Sequence, residues 1–275
     1  MAKIKLAALD VDGTLVRSDL SLSPEVIRAV ESLRDAGILI AIVTGRSMGE
    51  LIDFRRSFPW IRYFVVSNGA TGLDTETNTM FYENHLPLEI ARAVEQEARN
   101  FSVMTEVYSD GISYLNRDCW ENTERYTAEN LHHPSMVEGR IPVENVGELL
   151  AAGESDIEKL YLSFEHHADL PKLRAFCEVF PVDLVTSIHD GLEVNHKGVE
   201  KGTGLAALCD YLGISPEETA AIGDGEADIA MFRRVGLSIA MENARESVRK
   251  SATLIAPHHD SDGAVWAIGQ ILQTN

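Results

Sequence analysis

The run Ile4-Lys5-Leu6-Ala7-Ala8-Leu9 ends on Asp10-Val11-Asp12-Gly13-Thr14, and this junction constrains the chain more than any other stretch. A short, mostly apolar run cut off by a turn signal reads as a strand buried in a parallel sheet. In open α/β sheets, ligands bind outside the carboxyl ends of the strands. Two carboxylates thus stand where a ligand is expected, followed by a glycine that permits a sharp turn. The next segments keep the same rhythm. Ser23-Pro24 opens a helix, with serine as N-cap and proline in the first turn. Val26, Ile27, Val30 and Leu33 share one face, and Gly37 ends it. Ile38 to Val43 is a second apolar run, so the chain begins as a βαβ unit with a right-handed crossover.

Paired carboxylates at a strand end suit phosphoryl transfer through a covalent intermediate. A carboxylate can attack phosphorus and divide one difficult step into two easier ones. Asp10 is the candidate nucleophile, and Asp12 could protonate the leaving oxygen and later activate water. An attacking carboxylate and a phosphate dianion repel each other, so a hard cation must stand between them. Mg²⁺ suits, because it takes oxygen ligands in octahedral geometry and keeps several waters. An isolated Asp-x-Asp is also compatible with a polar loop or a helix cap, and the rest of the chain decides.

Other strand ends carry polar groups too. The second strand runs into Thr44-Gly45-Arg46, where a hydroxyl and backbone N–H groups at a helix start would cradle phosphate. Arg46 would meet phosphate or substrate, or face solvent. Tyr63 to Val66 ends in Ser67-Asn68-Gly69-Ala70, and Thr219 to Ile222 ends in Gly223-Asp224-Gly225-Glu226-Ala227-Asp228. Lys201 sits at the start of the helix of Leu205, Leu208 and Leu212. A cation there opposes the helix dipole, at a cost of up to about 1 kcal/mol unless phosphate or carboxylates lie beside it. Lys197 is its rival, and either could be a surface residue.

These segments resemble, in order, the four signatures of the haloacid dehalogenase superfamily of phosphatases. Asp10-Val11-Asp12 is similar to the first, and Thr44 to the second, a Ser or Thr that holds the phosphoryl group. Lys201 matches the third, the lysine that neutralises nucleophile and phosphoryl group, and is preferred to Lys197. Asp224 and Asp228 match the fourth. The resemblance implies that Asp10, Asp224 and the backbone carbonyl of Asp12 bind Mg²⁺, while Asp228 supports the metal shell or Lys201. Asn68-Gly69-Ala70 and Met241-Glu242-Asn243-Ala244 look like steps of the Cof-type, sugar-phosphatase-like branch. Asn68, Gly45 and Arg46 complete the expected phosphate- and substrate-binding set. That branch usually carries Asn where this chain has Ala227. Ala cannot hydrogen-bond, so a polar contact near the metal or phosphate is missing unless Glu226 or a water supplies it.

From about His85 the texture changes. Helical patterns span Pro87 to Asn100, Asp118 to Leu131 and Leu170 to Phe180. Strands are expected on either side of Asp110-Gly111, a hairpin signal, and at Ile157 to Phe164 and Val182 to Ser187. The same branch carries an α/β cap at this point. The expected fold is therefore α/β: a doubly wound, mainly parallel, Rossmann-like core sheet from residues 1–84 and 190–275, with an inserted α/β cap domain at 85–189. The chain should return to the core near Gly191.

Charge removes several function classes. The formal net charge is −19, with 43 acidic against 24 basic residues, which argues against binding nucleic acid or an anionic membrane. Cys119, Cys177 and Cys209 are too scattered for a disulfide framework. No apolar run approaches the roughly 20 residues of a membrane span, and Asp10 and Asp12 interrupt any signal-peptide layout. A reducing cytoplasm is the simplest compartment. The His132-His133, His166-His167 and His258-His259 pairs invite a zinc reading, but neighbours on an extended chain point to opposite faces. The reading that results is a Mg²⁺-dependent phosphohydrolase acting through an aspartyl phosphate on a small phosphorylated metabolite, a sugar phosphate or similar. Its alternatives are a phosphomutase of the same superfamily and a non-catalytic phosphate-binding regulator. A regulator that only stores phosphate has no need of Asp12.

Overall fold

The structure, a computed structural model, describes residues 2–128, 131–153, 156–186 and 191–275. The chain packs as two units, one of residues 1–45, 57–83 and 200–275, the other of residues 46–56 and 84–199.

The first unit is built on an eight-stranded sheet. From edge to edge its strands are Leu254–Ala256, Leu237–Met241, Thr219–Gly223, Leu6–Leu9, Leu39–Val43, Tyr63–Val66, Thr71–Asp74 and Thr79–Glu83. The first six pair in parallel, and the last two add an antiparallel hairpin. Leu6, Ala7, Ala8 and Leu9 have no exposed surface, as expected of a strand covered on both faces. Leu6 and Ala8 pack with Val43 and Val65 under Leu205 and Leu208 of the Lys201–Leu212 helix and under Met231 and Phe232. On the alternate face, the Pro24–Asp35 and Gly263–Gln273 helices pack on each other and on the sheet. Helices on both faces make this a doubly wound α/β fold.

Chain order fixes where the ligand crevice lies. From Leu6–Leu9 the chain winds outward through Leu39–Val43 to Tyr63–Val66. It later re-enters on the other side of the first strand, at Thr219–Gly223, and winds the opposite way. The reversal falls between Leu6–Leu9 and Thr219–Gly223, and such a switch point opens a crevice at the carboxyl ends of the two strands.

The second unit holds a six-stranded sheet in the order Val182–Thr186, Leu192–His196, Ile157–Phe164, Val103–Ser109, Ile112–Asn116 and Arg140–Val143. All neighbours are antiparallel except the last pair. The Leu88–Ala98, Val146–Ala152 and Leu170–Cys177 helices bury Ile90, Val94, Leu150 and Leu173 against Val107, Leu160, Leu162 and Val194.

Several sequence expectations change here. The stretch after Gly191, read as the return to the core, forms Leu192–His196 of the second sheet, and the return comes at Glu200. Its alternation explains this: Leu192 and Val194 face the second unit's apolar core. The helix expected over Asp118 to Leu131 is a helical turn at Arg117–Trp120 and a 3₁₀ turn at Thr123–Arg125. The Asn122 side chain donates to the Asp118 carbonyl at 2.7 Å, and such local bonds compete with a continuous helix. Residues 129–130 of that expected helix, and Ser187 of the expected strand, lie outside the described residues.

Candidate active site

Four parallel strands deliver polar side chains to one edge of the first sheet. Asp10 follows Leu6–Leu9, Thr44 follows Leu39–Val43, Asn68 follows Tyr63–Val66, and Asp224 follows Thr219–Gly223. The Asp10 N–H donates to the Ile222 carbonyl at 3.0 Å, so the sheet ladder reaches the proposed nucleophile itself. Asp10, Thr44, Lys201 and Asp228 are each at most 5% exposed, whereas Asp12 is exposed and Asp224 half-buried.

Lys201 organises the buried part. Its ammonium lies 2.8 Å from Asp10 Oδ1 and 2.7 Å from Asp228 Oδ1. It is the first residue of its helix, where an unpaired cation would be disfavoured, and the two carboxylates remove that penalty. Burial pulls its pKa down, but Asp10 and Asp228 outweigh burial and hold it well above the ordinary lysine range. The helix start is fixed by the neighbouring loop. Ser67, Asn68 and Gly69 take left-handed backbone, and a Cβ on Gly69 would lie 2.2 Å from the Glu200 carbonyl oxygen. Lys197, the rival lysine, is two-thirds exposed and ion-paired with Asp183.

Asp228 also braces its own loop, accepting the Asp224 and Gly225 N–H groups at 2.9 and 2.8 Å. Asp224 is gripped on both carboxylate oxygens. Thr14 Oγ1 donates to Oδ1 at 3.0 Å and Asn243 Nδ2 to Oδ2 at 3.1 Å. Gly13 must be glycine: its φ is +68°, and a Cβ would fall 2.3 Å from Asp224 Oδ2.

Carboxylate oxygens of Asp10, Asp224 and Asp228 all lie within 4.8 Å of one another. Three carboxylates face one ammonium, so the cluster carries excess negative charge in a mostly buried setting. Burial first, then the Asp228 charge, pushes the Asp10 carboxyl well up, with Lys201 opposing. Burial and Asp228 likewise raise Asp224 to about 7. Such a cluster favours a hard divalent cation, which would supply the missing positive charge through oxygen ligands alone. The donor set therefore fits Mg²⁺.

The remaining expected residues are placed as follows. Thr44 donates its N–H to Val65 O at 2.9 Å and accepts the Asn68 N–H on its carbonyl at 3.1 Å. A Cβ on Gly45 would meet Asn68 Oδ1 at 2.8 Å, so that amide lies along the Thr44-Gly45 turn. Arg46 groups with the second unit, and its guanidinium donates to the Glu50 carbonyl at 3.2 Å. Glu226, the suggested substitute for the amide missing at Ala227, is exposed and pairs with Arg245 at 3.3 Å. Asp224 receives an amide from Asn243, a residue that the sequence places only in a step resembling the Cof-type branch.

The histidine argument also needs correction. His258 and His259 stack with centroids 4.5 Å apart rather than pointing to opposite faces, because a 3₁₀ turn follows at His259–Ser261. With Asp260 they could hold a metal. Several of their atoms are engaged, while His259 Nδ1 is buried with no hydrogen-bond partner among the described residues. His258 Nδ1 accepts the Asp260 N–H, His259 Nε2 meets Ser18 Oγ, and Asp260 accepts two bonds from Ser18.

Comparison with known proteins places the chain in a family. The haloacid dehalogenase-like hydrolase family matches residues 7–268. The 5-amino-6-(5-phospho-D-ribitylamino)uracil phosphatase YcsE of Bacillus subtilis (strain 168) is 27% identical, over 96% of this chain and 94% of its own. The HMP-PP phosphatase of Klebsiella pneumoniae (strain 342) is 28% identical, over 89% and 86%. A haloacid dehalogenase-like hydrolase from Bacteroides thetaiotaomicron shares the fold at a TM-score of 0.85, with 23% identity over 98% of this chain and 100% of its own. With the family matched across nearly its whole length, the chain belongs to the haloacid dehalogenase-like hydrolases.

Proposed function

We propose that this protein is a Mg²⁺-dependent phosphohydrolase that removes phosphate from a small phosphorylated metabolite through an aspartyl phosphate on Asp10. The observation that carries this reading is the Lys201 ammonium bridging Asp10 and Asp228, with the Asp224 carboxylate gathered into the same cluster. Asp10, Asp224 and the Asp12 backbone carbonyl would hold the cation. When bound, Mg²⁺ would offset the repulsion between the Asp10 carboxylate and the phosphate dianion.

The chain's own groups then divide the work. An Asp10 carboxylate oxygen bonds to phosphorus as the bond from phosphorus to the leaving oxygen breaks, and protonated Asp12 gives its proton to that oxygen. In the second step Asp12 takes a proton from water, water attacks phosphorus, and Asp10 is released with inorganic phosphate. Lys201 keeps positive charge beside Asp10 throughout. The Thr44 hydroxyl and the Gly45 N–H hold the phosphoryl oxygens, with Asn68 alongside and Arg46 nearby in sequence. Residues 84–199 are assigned as the cap domain that sets substrate choice. The relatives are named as phosphatases of 5-amino-6-(5-phospho-D-ribitylamino)uracil and of HMP-PP, which supports a small phosphorylated metabolite here. Its cysteines are free, buried thiols, which supports a reducing cytoplasm. Among the described residues no helix is long and apolar enough to cross a membrane.

A phosphate-release screen over sugar phosphates, nucleotides and phosphorylated heterocycles tests this function. Release that needs Mg²⁺ and stops with EDTA is expected. Release that persists in EDTA, or phosphoryl transfer to an acceptor sugar in place of water, would contradict it.

A further inference from the structure

Asn243 follows the Leu237–Met241 strand, the parallel neighbour of Thr219–Gly223, so it stands at the same sheet edge as Asp10 and Asp224. Every polar atom of its side chain is used. Nδ2 donates to the Gly13 carbonyl at 2.9 Å and to Asp224 Oδ2 at 3.1 Å, while Oδ1 accepts the His259 N–H at 3.2 Å. The amide orientation follows from chemistry: a carbonyl and a carboxylate only accept, and a backbone N–H only donates.

We propose that Asn243 is a positioning residue for the cation site, fixing the Asp224 carboxylate and the Asp12-Gly13 turn in one arrangement. Thr14 holds the other Asp224 oxygen, so together the two donors fix the carboxylate plane and leave its remaining lone pairs for a ligand. Both donors are neutral. An arginine or lysine could grip the carboxylate as firmly, but its charge would repel the cation that the carboxylate serves. The amide is itself anchored. His259 belongs to a loop tied to the segment after the Asp10 motif, through Arg17 to Asp262 at 2.9 Å and Ser18 to Asp260 at 2.8 Å.

This inference rests on reading the carboxylate cluster as a Mg²⁺ site. The test is Mg²⁺ titration calorimetry on the wild type, Asn243→Ala and Asn243→Leu, with melting curves in EDTA and in excess Mg²⁺. Leucine keeps the branched shape of the amide, with the same number of heavy atoms, and removes all three hydrogen bonds. Mg²⁺ affinity should fall about 10-fold or more in both variants, the usual cost of losing a group that orients a metal ligand. Melting of Asn243→Leu in EDTA should stay close to wild type, and the Mg²⁺-dependent rise in Tm should shrink. Affinity within twofold of wild type in both variants would overturn the proposal. So would an equal loss of Tm with and without Mg²⁺, the mark of a purely structural residue. A wild type that binds no Mg²⁺ would instead remove the reading of the cluster on which the inference rests.

Discussion

At the scale of single residues, Lys201 supplies the balancing charge at the buried end of the cluster. Asp10 and Asp228 keep its ammonium protonated well above the ordinary lysine range. Lys201→Met would leave two buried carboxylates facing each other. It should lower kcat/KM by about 10²–10³, as for removal of one preorganised donor at a transition-state anion. In the wild type, deprotonation of Lys201 should produce no basic limb in the pH–rate profile below about pH 10. A steady-state comparison of the two proteins from pH 6 to 10 checks both statements. Wild-type turnover by Lys201→Met, or a basic limb that vanishes with it, would contradict them.

At the scale of elements, the second unit carries a buried ion network that periodicity could not disclose. Arg140 opens an edge strand and lies 2.5 Å from Glu50 and 2.9 Å from Glu106, with every side chain at most 3% exposed. Glu50 comes from the 46–56 segment, so this pair helps bind that segment into the unit. Burial alone would raise the Glu50 carboxyl, but Arg140 and the Ser47 N–H hold it below its usual range. Arg140→Met leaves both carboxylates buried without their guanidinium partner, which should cost about 3–5 kcal/mol of stability. That is a large share of the roughly 5–15 kcal/mol typical of a domain. Urea denaturation checks it: the midpoint should drop sharply, and adding Glu50→Gln should recover part of the loss. No recovery would show that the two residues do not act as a pair.

At the scale of the whole molecule, what the sequence disclosed was local. Apolar runs ending in charged or glycine-rich turns marked the strand ends at Asp10, Thr44, Asn68 and Asp224, and the resemblance to the haloacid dehalogenase signatures singled those residues out. A doubly wound core was expected from the sequence, and the switch point follows from the strand order that the structure shows. What stayed hidden depends on long-range meeting. The return to the core was expected near Gly191, ahead of Leu192–His196, because nothing in that segment's local pattern names the sheet it joins. Asn243 was not recognised as a partner of Asp224, 19 residues away, because an Asn in a turn has no signature of its own. The Glu50–Arg140 pair spans 90 residues and leaves no periodic trace. All of these parts converge on one claim, that Asp10 becomes phosphorylated while Asp12 moves the protons. Asp12→Asn with an aryl phosphate isolates it, since that leaving group departs without a proton and the second step then lacks its base. Rapid-quench mass spectrometry should find a burst of aryl alcohol, little phosphate release, and a phosphorylated peptide containing Asp10. Phosphate on any other residue, or wild-type turnover by Asp10→Asn, would contradict the account.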